Sequence, residues 1–202
     1  MKNLLLFTVF VFNLTSIFCQ PIKVVFTGGP CTGKTTLINA LASKGYYIIR
    51  EAATAVIQEE QKSGNMTPWN NLDQFQLKIV AKQEECLDLA LKLSHHKELI
   101  FFDRACIDSF AYCKFNKQII PQELTELLNK VRYDYIFLLD FVKTYSSSGV
   151  RHEGMEEARK IHNCLSSVYE SLGYNVITVP ALTVDERVEF VLDKLRQIHA
   201  IE

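Results

Sequence analysis

The chain has 202 residues, enough for one domain or two small ones. Its 22 Lys and Arg stand against 23 Asp and Glu, a formal net charge of −1, which argues against nonspecific nucleic-acid binding. At 48% hydrophobic and 22% charged residues the composition is that of an ordinary globular protein and excludes disordered and fibrous classes.

Lys2 is the only charge before Lys23, and between them Leu4-Leu5-Leu6-Phe7-Thr8-Val9-Phe10-Val11-Phe12 runs on into Leu14-Thr15-Ser16-Ile17-Phe18-Cys19. A basic start, an apolar stretch and small residues near its end make residues 1–19 a secretory signal or a short membrane anchor. The stretch is short of the ~20 residues a full span needs. Residues 20–202 then form a single domain, and the leader is its only contact with a membrane. The remaining cysteines point the other way. Cys31, Cys86, Cys106, Cys113 and Cys164 are odd in number and lack framework spacing, as free thiols in a reducing compartment would be. The sequence leaves both compartments open, secretory or cytoplasmic-facing.

From residue 22 the chain alternates strand and helix. Ile22-Lys23-Val24-Val25-Phe26-Thr27 is a short apolar run of the kind buried in a parallel sheet. A helix is predicted over 34–42, a strand over 46–49 and a helix over 52–62, followed by a polar loop over 63–71. Leu72, Phe75, Ile79, Cys86, Ala90 and Leu93 recur at helical spacings and mark a long helix. A third strand, Leu99-Ile100-Phe101-Phe102, stops at Asp103, and helices are predicted over 106–115 and 121–131. A fourth strand over 133–141 leads to a polar loop over 143–149. A helix over 155–172, a fifth strand over 175–179 and a last helix over 184–199 follow. Five apolar strands, each followed by helix, imply right-handed crossovers onto one parallel sheet: an α/β three-layer sandwich with helices on both faces. Ligands of such sheets bind at the carboxyl ends of the strands.

The strongest motif lies at the first of those ends. Gly28-Gly29-Pro30-Cys31-Thr32-Gly33-Lys34-Thr35 fits G-x-x-x-x-G-K-[ST], with Thr36 next, between a predicted strand and a predicted helix. Residue usage alone gives such a match in roughly one chain of this length per hundred. Glycines let the backbone curl so that N–H groups converge on a phosphate, and the helix N-terminus adds its positive end. Lys34 would reach the β- and γ-phosphates, and Thr35 would ligate Mg²⁺.

Asp103 leaves the sheet beside this loop. There it could hold Mg²⁺ through water, accept a proton from an attacking hydroxyl, or cap the helix that begins near Ala105. Glu51 ends the second strand in the same way, as a substrate contact or half of an ion pair. Arg104 could pair with substrate or phosphate oxygens. Arg151 and Arg159 flank and enter the helix after the polar loop; they could neutralise charge during transfer or be solvated. Trp69 either covers a bound base or plugs the core. No Asn/Thr-Lys-x-Asp guanine-reading motif follows the fourth strand, so ATP is the default nucleotide over GTP.

With these residues laid out, the chain resembles the P-loop domain shared by the nicotinamide riboside kinase part of the regulator NadR and a set of NadR-like predicted ATPases. The matching segments are residues 26–36, Arg50-Glu51-Ala52-Ala53, Pro68-Trp69, Phe101-Phe102-Asp103-Arg104 and Asp108-Ser109-Phe110-Ala111-Tyr112. They continue with Tyr133-Asp134-Tyr135-Ile136-Phe137-Leu138-Leu139 and residues 172–188. The stretch from Asp103-Arg104 to Ala111-Tyr112 is similar to the substrate-holding segment of thymidylate kinases, which brings in Asp108 as a substrate contact. The resemblance implies a Mg²⁺-dependent nucleotide-binding fold and phosphoryl transfer to a small nucleoside-like acceptor. Departing from that pattern, the loop Ser146-Ser147-Ser148-Gly149-Val150-Arg151-His152 carries few arginines. That departure keeps open a second class of function, a nucleotide-binding regulatory module with little or no catalysis.

Overall fold

The computed structural model describes residues 21–64, 72–93, 99–142, 154–198 and 201. Its elements in chain order are β1 (Ile22–Thr27), α1 (Lys34–Ser43), β2 (Tyr47–Ile49), α2 (Ala52–Lys62), α3 (Leu72–Leu93), β3 (Leu99–Asp103), α4 (Cys106–Phe115), α5 (Gln122–Lys130), β4 (Tyr135–Leu139), α6 (Met155–Ser171), β5 (Val176–Val179) and α7 (Val184–Gln197). All five strands are parallel, in the order β2-β3-β1-β4-β5. The predicted alternation therefore holds. Boundaries differ most for β4, which is shorter at both ends than the apolar run over 133–141.

β1 is central because it is apolar on both faces. Its side chains alternate between two cores: Val24 and Phe26 pack with Leu37, Leu41, Val188 and Val191 of α1 and α7. Val25 joins Ile100, Phe102 and Ile136 under α3, α4, α5 and α6. Phe26 stacks on Phe101 of β3 with ring centroids 5.3 Å apart and meets Phe137 of β4 at 5.8 Å. Two apolar faces demand two helical layers, which makes the three-layer sandwich.

The strand order fixes where a ligand goes. From β1 the chain first builds β2 and β3 on one side, then crosses to build β4 and β5 on the other. The connections leaving β1 and β3 diverge at their carboxyl ends and leave a crevice there. In the register of the β1–β3 pair, Phe26 lies beside Asp103, so the end of the apolar run over 99–102 falls level with the end of β1.

Leu165 of α6 is fully buried in the larger core. Leu165→Ala is expected to cost about 2–5 kcal/mol, whereas Leu89→Ala, at a position 47% exposed, should cost well under half of that. Urea unfolding checks this: a lowered midpoint at unchanged slope is the expected result.

Candidate active site

The turn between β1 and α1 is shaped by close packing. Gly28 has φ 137°, and a Cβ there would come within 2.8 Å of the Leu139 carbonyl oxygen at the end of β4. A Cβ on Gly29 would stand 2.6 Å from the Ala158 carbonyl oxygen of α6. Glycine at both places lets the backbone thread between the end of β4 and α6. Pro30 and Cys31 follow, Cys31 in the left-handed region at φ 60°. Gly33 starts α1 at φ 82°, with no side-chain cap and no acidic residue in the first turn. The amides opening α1 are thus left for an anion. Thr35 and Thr36 open the helix on its exposed side.

Lys34 is buried and folded back onto its own loop. Its Nζ donates to the carbonyls of Gly28 at 2.8 Å and Gly29 at 2.7 Å and to Thr32 Oγ1 at 3.1 Å. Thr32 Oγ1 in turn donates to the Gly29 carbonyl at 3.1 Å.

Across β1 lies a cluster of buried charge. Burial pushes the Asp103 carboxyl up to about 6, with Glu51 adding to the rise and Arg104 and Lys34 opposing it. Arg104 occupies the left-handed region at φ 66°, costly for a non-glycine residue. Its amide donates to the Phe26 carbonyl at 3.0 Å. Its guanidinium forms ion pairs with Glu51, Nε to Oε1 at 2.7 Å, and with Asp108, NH1 to Oδ1 at 3.1 Å, and lies 5.5 Å from the ring centre of Tyr112. The Nε–H is not directed at the Glu51 oxygen, so that pair is ionic contact without a well-formed hydrogen bond.

Asp108 is the hub. It accepts from Thr27 Oγ1 at 2.7 Å and Tyr169 OH at 2.5 Å, from the Ala105 amide at 3.1 Å and from Arg104. Four internal donors fill its carboxylate, so Asp108 holds the site together. It is also Asp108, from inside α4, and not Asp103, that reaches back to the amide of Ala105, the residue before the helix, which corrects the expectation of a cap by Asp103.

A third wall comes from α6. His162 Nδ1 accepts from the Gly29 amide at 3.4 Å, and burial lowers the pKa of the ring, so the neutral acceptor form is favoured. Phe141 lies 5.0 Å from the His162 ring, and the exposed Arg159 guanidinium sits 5.3 Å from the centre of Phe141. Arg187 of α7 closes the fourth side. Nε donates to the Pro180 carbonyl at 3.0 Å, NH1 to that of Thr32 at 2.6 Å and NH2 to that of Asp140 at 2.7 Å.

Two cavities lie near these residues, and the loop lines one of them. One of about 500 Å³ opens on the α1–α7 side beside Gly33 and Thr36, with Leu37, Val142 and Leu182 among its walls. The other, about 160 Å³, lies on the α3–α4 side between Glu51, Phe75, Gln76, Arg104 and Tyr112. Gln76 is 8% exposed and its Oε1 lacks a hydrogen-bond partner.

The structure thus gathers Gly28 to Thr36, Glu51, Asp103, Arg104, Asp108 and Arg159 around one crevice. Trp69 and Arg151 lie outside the described residues, as do residues 1–19 and 143–150. Sequence reasoning missed Arg187, His162 and Gln76. A signal existed for Arg187: it shares a helical face with Val184, Val188, Val191 and Leu195, where a charge is out of place. The donors fit Mg²⁺, because a threonine hydroxyl and a carboxylate are hard oxygens, and the raised pKa shows that Arg104 and Lys34 do not offset the burial of the Asp103 carboxylate. Among the described residues no group of three or more His, Cys, Asp or Glu side chains is placed to hold a metal. An ion here would complete its shell with phosphate and water.

The raised pKa of Asp103 has a consequence for stability. Its folded value lies above the ordinary 3.8, so between pH 4 and 6 the folded state holds a proton that the unfolded chain has released. Stability should fall as pH rises through that window and stay lowered above it. Asp103→Asn is expected to stabilise the ligand-free protein at pH 7.5, by on the order of 2 kcal/mol, with the gain vanishing near pH 4. Thermal unfolding across this range, without nucleotide or divalent cation, checks the sign.

A family profile described as an AAA domain matches residues 23–187. No curated protein matches the sequence. Among solved structures, thymidylate kinase from Candida albicans superposes with a TM-score of 0.66 at 15% identity, covering 91% of this chain and 94% of that one. Deoxyadenosine kinase from M. mycoides gives 0.63 at 19% identity over 87% of this chain and all of the other. NadR in complex with NR gives 0.67 at 20% identity over 90% of this chain, which spans 52% of NadR. At these identities the likeness is one of fold. With the phosphate loop, the five-stranded parallel sheet and the profile covering most of its length, the chain belongs to this AAA-domain family of P-loop proteins and has the nucleoside-kinase form of the fold.

Proposed function

We propose that the protein is a Mg²⁺-dependent phosphotransferase that moves the γ-phosphoryl group of ATP to a hydroxyl of a nucleoside-like acceptor. The observation that carries this is the second cavity. A hydrolase needs room only for water, whereas here a lined pocket of about 160 Å³ lies on the α3–α4 side of the strand that leads into the phosphate loop. The two are joined through Asp108, which borders the pocket and takes the hydroxyl of Thr27 at the entry to the loop. The orphaned Oε1 of Gln76 calls for a donor on the acceptor molecule. The neighbours' names, thymidylate kinase, deoxyadenosine kinase and a protein solved with NR, point to the same substrate class.

ATP would lie with its phosphates in the loop and its base in the larger cavity. Lys34 exchanges the Gly28 and Gly29 carbonyls for β- and γ-phosphate oxygens. Thr35 and, through water, Asp103 would hold Mg²⁺, which supplies charge neutralisation on those phosphates. Asp103, with a pKa near 6, is suited to accept the proton of the acceptor hydroxyl at neutral pH. The hydroxyl oxygen bonds to the γ-phosphorus, the bond to the β–γ bridging oxygen breaks, and ADP leaves. Glu51, fixed by Arg104, orients the hydroxyl, while Arg159 and Arg151 neutralise charge that develops on the phosphoryl group.

ADP release measured with and without a panel of nucleosides tests this. Acceptor-dependent turnover is the expected result; tight nucleotide binding without turnover would instead make the protein a regulatory module. Lys34→Ala is expected to abolish binding of ATP in a variant that circular dichroism shows to be folded. Asp103→Asn should lower turnover at least about 10²-fold with a small effect on nucleotide affinity, and Glu51→Gln should chiefly raise the KM for the acceptor. The reverse pattern would move the proton acceptor to Glu51.

A further inference from the structure

Arg187 has no part in the chemistry just described, yet it is 98% shielded from water, at 2% exposure, directly behind the phosphate loop. A buried guanidinium is normally set against a carboxylate. This one forms no ion pair with any described residue; its three donors all go to backbone carbonyls. Burial lowers its pKa, and Asp140 is the acid that opposes the shift. The Asp140 carboxylate is itself occupied by the Phe141 amide at 2.9 Å. A positive charge therefore stands in the interior hydrogen-bonded to peptide carbonyls alone, with the Asp140 carboxylate acting on it from outside ion-pair distance.

Its partners are placed to matter. Thr32 and Gly33 share a planar peptide, so a carbonyl pinned at 2.6 Å by Arg187 turns the Gly33 N–H the opposite way, away from α7 and toward the inside of the loop. Gly33 lies so close that a Cβ there would be 3.3 Å from the guanidinium. The other two carbonyls, of Asp140 and Pro180, stand just after β4 and β5, in the segments that supply Val142, Ala181 and Leu182 to the larger cavity.

We propose that Arg187 is a positioning residue and second cation of the nucleotide site. It aims the Gly33 amide at the bound phosphate, adds positive potential from behind the loop, and ties the loop to the wall of the base cavity. The inference rests on the nucleotide-binding role of the loop proposed above. Charge on a fixed, dry scaffold acts strongly on an anion and needs no rearrangement when it binds. Lys34 moves to meet the phosphate, whereas Arg187 stays in place.

Binding of inorganic tripolyphosphate and of ATP to the full chain, by calorimetry at several salt concentrations, tests the proposal. Arg187→Met, verified as folded by circular dichroism, is expected to bind both roughly 10- to 100-fold more weakly. Its salt dependence should be shallower, and Arg187→Lys should restore that slope, which a purely structural role would not do. Wild-type affinity for tripolyphosphate in folded Arg187→Met overturns the proposal. If Arg187→Met does not fold, Arg187→Lys decides: several-fold weaker tripolyphosphate binding supports the role, and unchanged binding overturns it. Lys34→Ala run alongside separates the two levels, because unchanged affinity in that variant means the loop itself is not the phosphate site.

Discussion

The constraint on which this molecule turns is the burial of charge at the carboxyl ends of β1 and β3. Lys34, Arg104 and Arg187 and the carboxylates of Asp103 and Asp108 are all almost withdrawn from water, with Glu51 partly so. A charge taken from water without partners costs several kcal/mol, so each group dictates the geometry around it. Arg104 accepts a left-handed backbone and thereby brings its guanidinium between Glu51 and Asp108. Asp108 saturates itself with Thr27, Tyr169 and the Ala105 amide just before α4. The result links β1, the turn after β3, α4 and α6 through one carboxylate.

Charge is also sorted by side. Carboxylates collect on the α3–α4 side of β1, where Glu51 and Asp108 border the smaller cavity. The unpaired cation lies on the α1–α7 side, where Arg187 borders the larger one. The loop crosses between the two. An anionic group is drawn to the loop, and a neutral, hydroxyl-bearing acceptor suits the acidic side, where a second anion would meet Glu51. Asp103 sits at the crossing, where burial pushes its carboxyl up to about 6, with Glu51 adding to the rise and Arg104 and Lys34 opposing it.

The sheet was legible because its strands are short runs buried on both faces, and period and length identify such runs without tertiary knowledge. The phosphate loop was legible because its chemistry needs fixed residue types at fixed spacing. Asp103, Arg104 and Glu51 could be found because strand ends of a parallel sheet converge on one edge. The division of labour among them could not. The sequence offers Asp103 as the cap of α4, and it is Asp108, three residues into the helix, that closes on the Ala105 amide after the left-handed turn at Arg104. Arg187 and His162 come from α7 and α6, 155 and 133 residues from their partners in the loop, distances over which sequence spacing carries no geometry. Gln76 is one polar residue on a long helix, and its meaning rests on a cavity that α2, α3 and α4 build together.

Lys34 and Arg187 solve one problem in opposite ways, and under the proposed function the contrast would set how tightly a nucleotide is held. Both are buried cations satisfied by carbonyl oxygens. Lys34 has a flexible stem and a compact ammonium, so it can surrender the Gly28 and Gly29 carbonyls when phosphate oxygens arrive. The affinity it contributes is a difference between two good sets of contacts, much smaller than the bare attraction of ammonium for phosphate. Arg187 has a planar fork engaged at three points and surrenders nothing. Its attraction for an anion is added without a competing loss. Its burial was met when the chain folded, as stability forgone in the empty protein. A site built from one exchanging cation and one fixed cation can release product through the first while keeping the shape of the loop through the second.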